Sequence, residues 1–329
     1  MTQENGLVIL VGPTAVGKTK LGVELASACN GEIISADSMQ IYRGMDIGTA
    51  KITPEEMKGV PHWGIDIVDP DVPFSVSSFR ELAHGWLSDI WKRGRLPFLV
   101  GGTGLYVRAV TENYNFSEFA GDPEFRHALE REAQQYGPEY LHKRLQILDP
   151  ETAKRLHPND LRRVIRALEV YEFTGIPMSQ SVTPCERVTL FPTLKIGLTM
   201  NDREALYQRI NQRVDVMMNN GLVQEVQTLL ANGMHKELIS MQGIGYKEII
   251  DYLEGQGTIE EAVEKIKLGS RRYAKRQLSW FRRDSSIHWF EVDTMSWDQL
   301  YTGCLRLVKE FRHQLANTVE IKEDGGTRT

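Results

Sequence analysis

The sequence predicts an α/β fold in which a parallel sheet is flanked by helices, together with an all-helical insertion. Short apolar runs alternate with amphipathic segments in the first 118 residues and again from residue 190. Between these stretches, over residues 119–189, no segment has the pattern of a strand. Strands separated by helices form parallel sheets covered by helices, so residues 1–118 and 190–316 are predicted to form one α/β core.

Four short apolar runs are the predicted strands of this core. They cover residues 7–11, 32–35, 96–100 and 195–198. Apolar runs of this length are typical of parallel strands that are buried on both faces. The clearest helical patterns follow the last of these strands and predict helices over 203–218, 222–231 and 258–283.

Residues 119–189 are predicted to form a separate helical domain. Leu129, Ala133 and Tyr136 recur at helical spacing, and prolines divide the segment into short pieces. The chain end is different in character, because residues 317–329 are polar and finish in EDGGTRT. We therefore expect a disordered tail there.

Composition excludes several classes of protein. With 41% apolar and 25% charged residues the chain matches an ordinary soluble globular protein. Cys29, Cys185 and Cys304 are far apart, which argues against a zinc site or a disulfide framework and fits a reduced cytosol. There is no signal-peptide pattern and no run of 18 apolar residues. We expect a cytoplasmic monomer that does not contact a membrane.

A phosphate-binding loop follows the first predicted strand. The segment reads GPTAVGKT and matches the pattern GxxxxGK[ST] between a strand and a helix; it consists of Gly12, Pro13, Thr14, Ala15, Val16, Gly17, Lys18 and Thr19. Backbone amides and the helix N-terminus would bind an anion, Lys18 would add positive charge, and the Thr19 hydroxyl would bind Mg²⁺. The core is therefore predicted to be P-loop NTPase-like.

The sequence lacks an acidic residue at the strand end where nucleotide-hydrolysing P-loop proteins hold Mg²⁺. Such proteins hold Mg²⁺ through an acid at a strand end, but the run FLVGG has none and is followed by Thr103. Asp37 follows another predicted strand and is the candidate, although it could instead cap a helix beginning at Ser38. Ligands bind at the carboxyl ends of parallel strands, so we expect the loop, Asp37 and Thr103 to converge.

Two basic clusters occur in a protein whose net charge is −5. The first has seven basic residues and no acid between Lys267 and Arg283, interleaved with Tyr273, Trp280 and Phe281; its basic members are Lys267, Arg271, Arg272, Lys275, Arg276, Arg282 and Arg283. The second lies in the insertion and contains Lys154, Arg155, Arg162, Arg163 and Arg166. Each cluster could be a solvated helix face. Their presence on both predicted domains favours a groove for a nucleic acid.

Taken together, these motifs resemble the bacterial tRNA dimethylallyltransferase (tRNA isopentenyltransferase) family. The resemblance rests on GPTAVGKT, on DSMQIYRGMDIGTAK at 37–51, on PHWGIDIVDP at 61–70 and on FSVSSF at 74–79. It continues in GGTGLY at 101–106, HPNDLRRVIRALE at 157–169, GIGYKE at 243–248 and YAKRQLSWFRR at 273–283. These segments extend over most of the chain to about residue 290, in the order of the family.

The resemblance implies a transfer reaction. A dimethylallyl group would pass from its diphosphate to the exocyclic amine of the adenosine just 3′ of the anticodon, in tRNAs that read codons beginning with U. The loop is of the type that binds ATP and other nucleotides, but here it would hold the diphosphate. Thr19 would bind Mg²⁺ and diphosphate, Asp37 would be the general base, and Thr103 would lie at the reacting centre. Arg213 is our choice for a further diphosphate clamp, with Arg209 as a rival one turn earlier.

The same resemblance implies which segments bind tRNA. The target base must leave its stack, and Asp37, Thr103, Ser38, Met39 and Gln40 would line its pocket, with Gln40 on an adenine edge. The family's tRNA contacts correspond to Arg126 and to residues of three segments. They are Arg162, Arg163, Val164, Ile165 and Arg166; Gln242, Gly243, Ile244, Gly245, Tyr246 and Lys247; and Lys275, Arg276, Gln277, Leu278, Ser279, Trp280, Phe281 and Arg282.

Two other functions remain open at this level. A small-molecule P-loop kinase of the nucleoside type would share the phosphate-binding loop, but it would not need the two basic clusters. A non-catalytic RNA-binding NTPase would use bound nucleotide as a switch. The lack of an acidic residue after FLVGG counts against ATP hydrolysis and therefore against this alternative.

Overall fold

The computed structural model describes residues 5–113, 121–181 and 189–324, and the chain divides into two compact units. The first unit consists of Met1–Thr111 with Thr189–Thr329, and the second is Glu112–Val188. The sequence placed the insertion at 119–189, so the second unit begins earlier than predicted. This difference arises because the segment after the last helix of the first half carries no pattern that marks a boundary.

The first unit contains all the strands of the described residues. They are β1 (Leu7–Val11), β2 (Gly31–Ala36), β3 (His62–Trp63), β4 (Leu96–Gly101), β5 (Thr193–Thr199) and β6 (His288–Glu291). Its helices before the insertion are α1 (Lys18–Ala28), α2 (Pro54–Met57), α3 (Val76–Lys92) and α4 (Gly104–Thr111). Those after it are α10 (Arg203–Asn219), α11 (Leu222–Ala231), α12 (Tyr246–Leu253), α13 (Ile259–Phe281) and α14 (Trp297–Asp324).

The six strands form one parallel sheet in the order β3-β2-β4-β1-β5-β6. The four predicted strands are confirmed, and the predicted parallel α/β fold with them. Sequence analysis missed β3 and β6 because they are short edge strands without an apolar run. In register, Gly101 at the end of β4 lies opposite both Val11 of β1 and Ala36 of β2. The loops after β1, β2 and β4 therefore leave the sheet side by side.

The sheet is buried on both faces. Every residue of β1 is buried, and alternate side chains point to opposite faces of a strand. Leu10 packs on the face covered by α1 and α14, in the cluster that includes Leu21 and Val308. Ile9 packs on the other face, in the cluster that includes Phe79 of α3 and Val110 of α4. A third cluster, which joins α10, α11, α12 and α13, includes Val214 and Ile266.

The second unit is helical throughout its described residues. Its helices are α5 (Pro123–Tyr136), α6 (Pro138–Leu148), α7 (Pro150–Arg155), α8 (Leu161–Thr174) and α9 (Met178–Ser181). Prolines at the first position of α5, α6 and α7 explain how the chain starts three successive helices, since proline suits that position and cannot continue a preceding helix. Leu129, Leu141 and Leu168 lie in its core.

The chain end differs from the prediction. We expected disorder over 317–329, but α14 continues to Asp324, so the prediction is wrong for 317–324. The polar composition of this segment indicated exposure to solvent. A helix that is already anchored by buried Phe311 and Leu315 can nevertheless continue into it, because adding a residue to an existing helix avoids the free-energy cost of helix nucleation. Residues 325–329 lie outside the described residues. None of the described helices is long and apolar enough to cross a membrane.

The packing of β1 predicts a large loss of stability when its central side chain is truncated. Leu10 is 0% exposed, so Leu10→Ala should lower the free energy of unfolding by about 2–5 kcal/mol, through lost burial and a residual cavity. Urea unfolding followed by circular dichroism measures this change. Leu82→Ala, at a position that is 38% exposed on α3, is the matched control and should change stability far less. Equal losses in the two variants would contradict this packing.

Candidate active site

The loop between β1 and α1 is built to bind an anion. Ala15 and Gly17 have φ angles of +67° and +94°, and alternating left-handed positions turn successive backbone amides towards one concavity. Gly17 is the N-cap of α1, and no side chain caps this helix. The first amides of α1 therefore have no partner from a capping side chain and are available to phosphate oxygens, with the positive end of the helix behind them.

Lys18 supplies the positive charge of this loop, and its environment lowers its pKa. Its Nζ donates a hydrogen bond of 2.6 Å to the carbonyl of Pro13 within the loop. The pKa of Lys18 is lowered to about 7, first because it is removed from water and second because the Arg213 guanidinium repels its charge. The Asp37 carboxylate acts in the opposite direction. An incoming anion would favour the charged form of Lys18.

Arg213 of α10, and not Arg209, lies near the loop. Burial lowers the pKa of Arg213, and the carboxylates of Asp37 and Glu56 oppose this effect. Arg209 is exposed, and its charge acts on Asp293 instead. Of the two arginines that the sequence left open, Arg213 is thus the one that shares an environment with Lys18 and Asp37.

Asp37 and Thr103 meet where β2 and β4 end. The Asp37 Oδ1 accepts a hydrogen bond of 2.9 Å from the amide of Met39, which closes a turn. The amide of Ser38 donates to the Thr103 hydroxyl at 3.2 Å, and the amide of Thr103 donates to the Ala36 carbonyl. No helix begins at Ser38, so Asp37 is not a helix cap. The structure brings Asp37 and Thr103 together as the strand positions predict.

A cavity of about 300 Å³ opens beside these residues. One part of its lining is polar and includes Thr14 of the phosphate loop, Asp37, Arg213 and Tyr273. Another part is apolar and consists of Met39, Ile210, Val214, Met217, Ile244 and Ile266. The cavity therefore has room for a small apolar group close to a carboxylate, two cations and an anion-binding loop.

Tyr273 and Gln277 of α13 lie at this site; the sequence predicts that Gln277 contacts RNA and shows Tyr273 only among the aromatic residues of the basic cluster. The pKa of Tyr273 is raised to about 12 because burial and the nearby Asp37 both disfavour its ionised form. The polar side chains of Thr103 and Gln277 reduce this rise in pKa. The spacing of four residues, which places Tyr273 and Gln277 on one helix face, was the available sequence signal.

The Gln40 side chain makes hydrogen bonds within its own chain. Its amide oxygen accepts a hydrogen bond from the Ser35 hydroxyl at 3.1 Å, and its amide nitrogen donates to the carbonyls of Thr49 and Ala50 at 3.3 and 3.4 Å. The side chain is thus engaged within its own chain and holds the segment around residue 50 against β2. That Gln40 bonds an adenine edge stays a prediction.

The predicted RNA-contacting segments of the first unit divide into exposed and buried side chains. On α13 and its C-terminal cap, Lys275, Arg276, Ser279 and Arg282 are exposed, Leu278 and Trp280 are half-buried, and Gln277 and Phe281 are buried. In the segment 242–247, Gln242, Gly243 and Ile244 line the cavity, Gly245 is the N-cap of α12, and Lys247 lies 3.7 Å from Glu248. The Tyr246 side chain is buried and its hydroxyl donates to Glu225 at 2.6 Å. In a helix, side chains three or four positions apart share a face, so neighbouring residues of one segment point to the core and to solvent. A sequence segment alone does not show which of its side chains point inward.

The same division applies to the second unit. Arg162 and Arg163 are exposed, and Arg163 forms an ion pair of 2.8 Å with Asp160. Arg126 and Arg166 both bind the fully buried carboxylate of Glu169. Val164 and Ile165 are core residues of this unit. The side chains of Val164, Ile165, Tyr246, Gln277 and Phe281 therefore pack inside the protein, and contact of their segments with tRNA stays a prediction.

The residues around the loop fit a magnesium ion that arrives with a phosphate ligand. Among the described residues no three histidine, cysteine or carboxylate side chains are grouped so that they could hold a metal by themselves. The Thr19 hydroxyl is exposed in the first turn of α1, next to the loop. Mg²⁺ commonly keeps several waters and binds through one or two protein oxygens plus substrate phosphates, so a sparse protein ligand set suits it.

Comparison with known proteins defines the family. Residues 40–284 match the family model described as IPP transferase, and residues 5–65 match that described as isopentenyl transferase. A tRNA dimethylallyltransferase of a Thermoanaerobacter species is 54% identical over 289 residues, which is 87% of this chain and 92% of the relative. The chain therefore belongs to the IPP transferase family, as its motifs predict.

Solved structures agree with this assignment. The tRNA isopentenylpyrophosphate transferase of Bacillus halodurans is 48% identical, with a TM-score of 0.73 over 96% of this chain and 99% of that one. A eukaryotic dimethylallyltransferase acting on tRNA is 31% identical, with a TM-score of 0.74 over 89% of this chain and 75% of that one. Both share the fold described above.

The lowered pKa of Lys18 predicts that anion binding weakens as pH rises. A bound anion raises the pKa of Lys18, so below about pH 7 the residue is charged with or without ligand. Above that pH the free protein must take up a proton on binding, and affinity should fall by up to about tenfold per pH unit. Calorimetric titration with inorganic diphosphate in metal-free buffer between pH 6.5 and 9 measures this.

Lys18→Arg is the matched control, because a guanidinium stays charged over this range. Dividing the wild-type affinity by that of the arginine variant cancels the ionisation of diphosphate itself. The ratio should decline with pH, and a ratio that is constant from pH 6.5 to 9 would contradict the lowered pKa of Lys18.

Proposed function

We propose that this protein transfers a dimethylallyl group from dimethylallyl diphosphate to the exocyclic amine of the adenosine 3′-adjacent to the anticodon, in tRNAs reading codons that begin with U. The observation that carries the proposal is the cavity. It places the Asp37 carboxylate and an apolar wall next to Thr14 of an anion-binding loop. Family membership supplies the substrate classes, because the relatives are named for dimethylallyl transfer to tRNA.

The donor would lie with its two ends in different environments. The diphosphate would bind the backbone amides of residues 15–19, Lys18 and Arg213, while the five-carbon chain would contact apolar side chains such as Met217 and Ile266. The allylic C–O bond breaks during transfer, and negative charge grows on the diphosphate. Fixed amides and two nearby cations stabilise that charge as it develops, which lowers the barrier.

The acceptor needs a group that removes a proton. As the amine nitrogen of adenine forms its new C–N bond, it must lose one of its two protons. Asp37 lines the cavity and is the carboxylate we assign as general base, and the diphosphate leaves with the electron pair of the broken C–O bond. Thr103 orients the turn that carries Asp37 through the hydrogen bond from Ser38. The base must leave the anticodon stack to reach this depth.

A magnesium ion would assist the leaving group. We assign Thr19 as its protein ligand, with water and diphosphate oxygens completing the coordination. The ion, when bound, neutralises charge on the departing diphosphate. The loop would then serve transfer and not ATP hydrolysis, in keeping with the lack of an acid at the end of β4.

The exposed face of α13 is the surface we assign to the tRNA backbone. Arg272, Lys275 and Arg282 are exposed on α13 and its C-terminal cap, whereas Ala274 and Gln277 between them are buried. Such a row of cations matches the charge of a polynucleotide and exceeds what a small acceptor needs. Since the acceptor is tRNA, we place the reaction in the cytoplasm.

The transfer reaction itself is tested by product analysis. The protein is incubated with unmodified tRNA, Mg²⁺ and dimethylallyl diphosphate, and the tRNA is digested for nucleoside mass analysis. Formation of dimethylallyl-adenosine at the position 3′ of the anticodon supports the proposal. Phosphoryl transfer from ATP to nucleosides without prenylation would instead indicate a P-loop kinase, which the comparisons do not favour.

Removal of the general base should separate turnover from RNA binding. Asp37→Asn keeps the shape of the side chain but cannot accept the proton, so kcat should fall about 10²–10⁴-fold. The Kd for tRNA should stay within about threefold, because this carboxylate binds no phosphate. Single-turnover prenylation and filter binding measure the two quantities. A parallel loss of both would assign Asp37 to positioning.

The salt dependence of tRNA binding tests the assigned surface. Neutralising Arg272, Lys275 and Arg282 to glutamine should weaken binding and reduce the slope of log affinity against log salt by about 2, if each contacts a phosphate. Arg271 is left out because it donates to the Asn211 side chain at 2.7 Å.

The matched control replaces three exposed cations elsewhere, Lys92, Arg306 and Lys309, by glutamine. Fluorescence titrations at four salt concentrations give both slopes. An unchanged slope in the first variant, or an equal change in both, would show that this face of α13 is only a solvated helix surface.

A further inference from the structure

Gln277 links the phosphate loop to the neighbouring strand end. Its side chain is 5% exposed, on the inward face of α13. The backbone amide of Thr14 donates a hydrogen bond of 2.9 Å to its Oε1, and its Nε2 donates one of 3.1 Å to the carbonyl of Gly102. The carboxamide thus uses its acceptor on the loop after β1 and its donor on the turn after β4.

The position of Gly102 shows how closely this contact is packed. A Cβ added at Gly102 would lie 1.9 Å from Gln277 Nε2, so only glycine leaves room for the carboxamide. β1 and β4 are direct neighbours in the sheet, and Val11 lies opposite Gly101. Gln277 therefore bridges two loops that leave adjacent strands, at the level where both strands end.

Tyr273 extends this bridge by one helical turn. The rise in its pKa on burial is reduced by the side chains of Gln277 and of Thr103, the residue after Gly102, so Tyr273 lies beside both. It also lines the cavity that contains Asp37. One face of α13 therefore fixes the phosphate loop through Thr14 and the turn of Gly102 and Thr103, while the exposed face of the same helix carries the basic residues.

We propose that Gln277 is a positioning residue for the diphosphate of the donor, and not an RNA contact. It fixes the orientation of the Thr14 amide and thereby the shape of the loop before a ligand arrives. A preorganised loop binds its anion without the cost of ordering, whereas a loop released from this contact must be ordered on binding. The inference rests on the proposed function, because it takes the ligand of this loop to be the donor diphosphate.

Gln277→Leu removes both hydrogen bonds at similar volume. We expect the KM for dimethylallyl diphosphate and the Kd for inorganic diphosphate to rise roughly tenfold, as expected for a buried amide left without its acceptor. The Kd for tRNA should stay within about twofold. Gln227→Leu, at an exposed position of α11, is the matched control and should change neither quantity.

The pH dependence of kcat/KM in Gln277→Glu distinguishes a positioning role from a purely structural one, which would leave that pH dependence unchanged. A protonated glutamic acid has one donor and one acceptor like the native amide, whereas the carboxylate can only accept and repels the Gly102 carbonyl. The ratio of variant to wild-type kcat/KM for the donor should therefore rise towards one as pH falls from 8 to 5.5. The other charged groups of the site, among them Lys18, Asp37 and Arg213, are the same in both proteins, so the ratio cancels any pH dependence that the two proteins share.

The outcomes are distinct. Absence of prenylation by the wild type would refute the proposed function. With an active wild type, unchanged donor KM in Gln277→Leu, weakened tRNA binding with donor binding spared, or a ratio for Gln277→Glu that does not vary with pH would each overturn the positioning role. If Gln277→Leu does not fold, as judged by its thermal unfolding, the pH dependence of Gln277→Glu decides alone.

Discussion

The parallel pairing of β1, β2 and β4 is the constraint on which the site depends. Because Gly101 lies opposite both Val11 and Ala36, three loops leave the sheet at one level. The first provides the amides that bind an anion, the second provides Asp37, and the third provides Thr103. A carboxylate repels the anion that such a loop attracts, so the two groups suit different parts of one ligand. Here they are separated by a cavity, so each can act on a different end of one substrate.

Burial gives these charged groups their chemical properties. Lys18 and Arg213 each have a lowered pKa because they are removed from water, and the mutual repulsion of their charges adds to this effect for Lys18. A site that holds two such cations favours a multiply charged anion, since binding relieves both the repulsion and the loss of hydration. The apolar wall formed by residues such as Val214 and Ile244 serves the other part of the substrate. That combination of cations and apolar wall is the basis on which we propose a prenyl diphosphate as the donor.

Much of this organisation could be predicted from the sequence, and the part that could not has a common physical cause. The phosphate loop, Asp37 and four strands follow from local patterns, because strand burial and loop type depend on a few adjacent residues. The contact between Thr14 and Gln277 joins residues 263 positions apart, and no local pattern encodes it. The hydrogen bonds of Gln40 to Thr49 and of Tyr246 to Glu225 could not be predicted for the same reason, since tertiary structure alone brings these partners together. Edge strands β3 and β6 escaped detection because they are too short to show a pattern.

The central claim is that one cavity holds the donor with its diphosphate on the loop of residues 12–19 and the acceptor amine at Asp37. It is tested most directly by a crystal structure of the protein with tRNA and dimethylallyl thiodiphosphate, a donor whose allylic bond resists cleavage. The account predicts diphosphate oxygens on the loop amides, Lys18 and Arg213, with the flipped adenine amine about 3 Å from an Asp37 carboxylate oxygen. An adenine bound away from Asp37, or a diphosphate bound outside the loop, would contradict it.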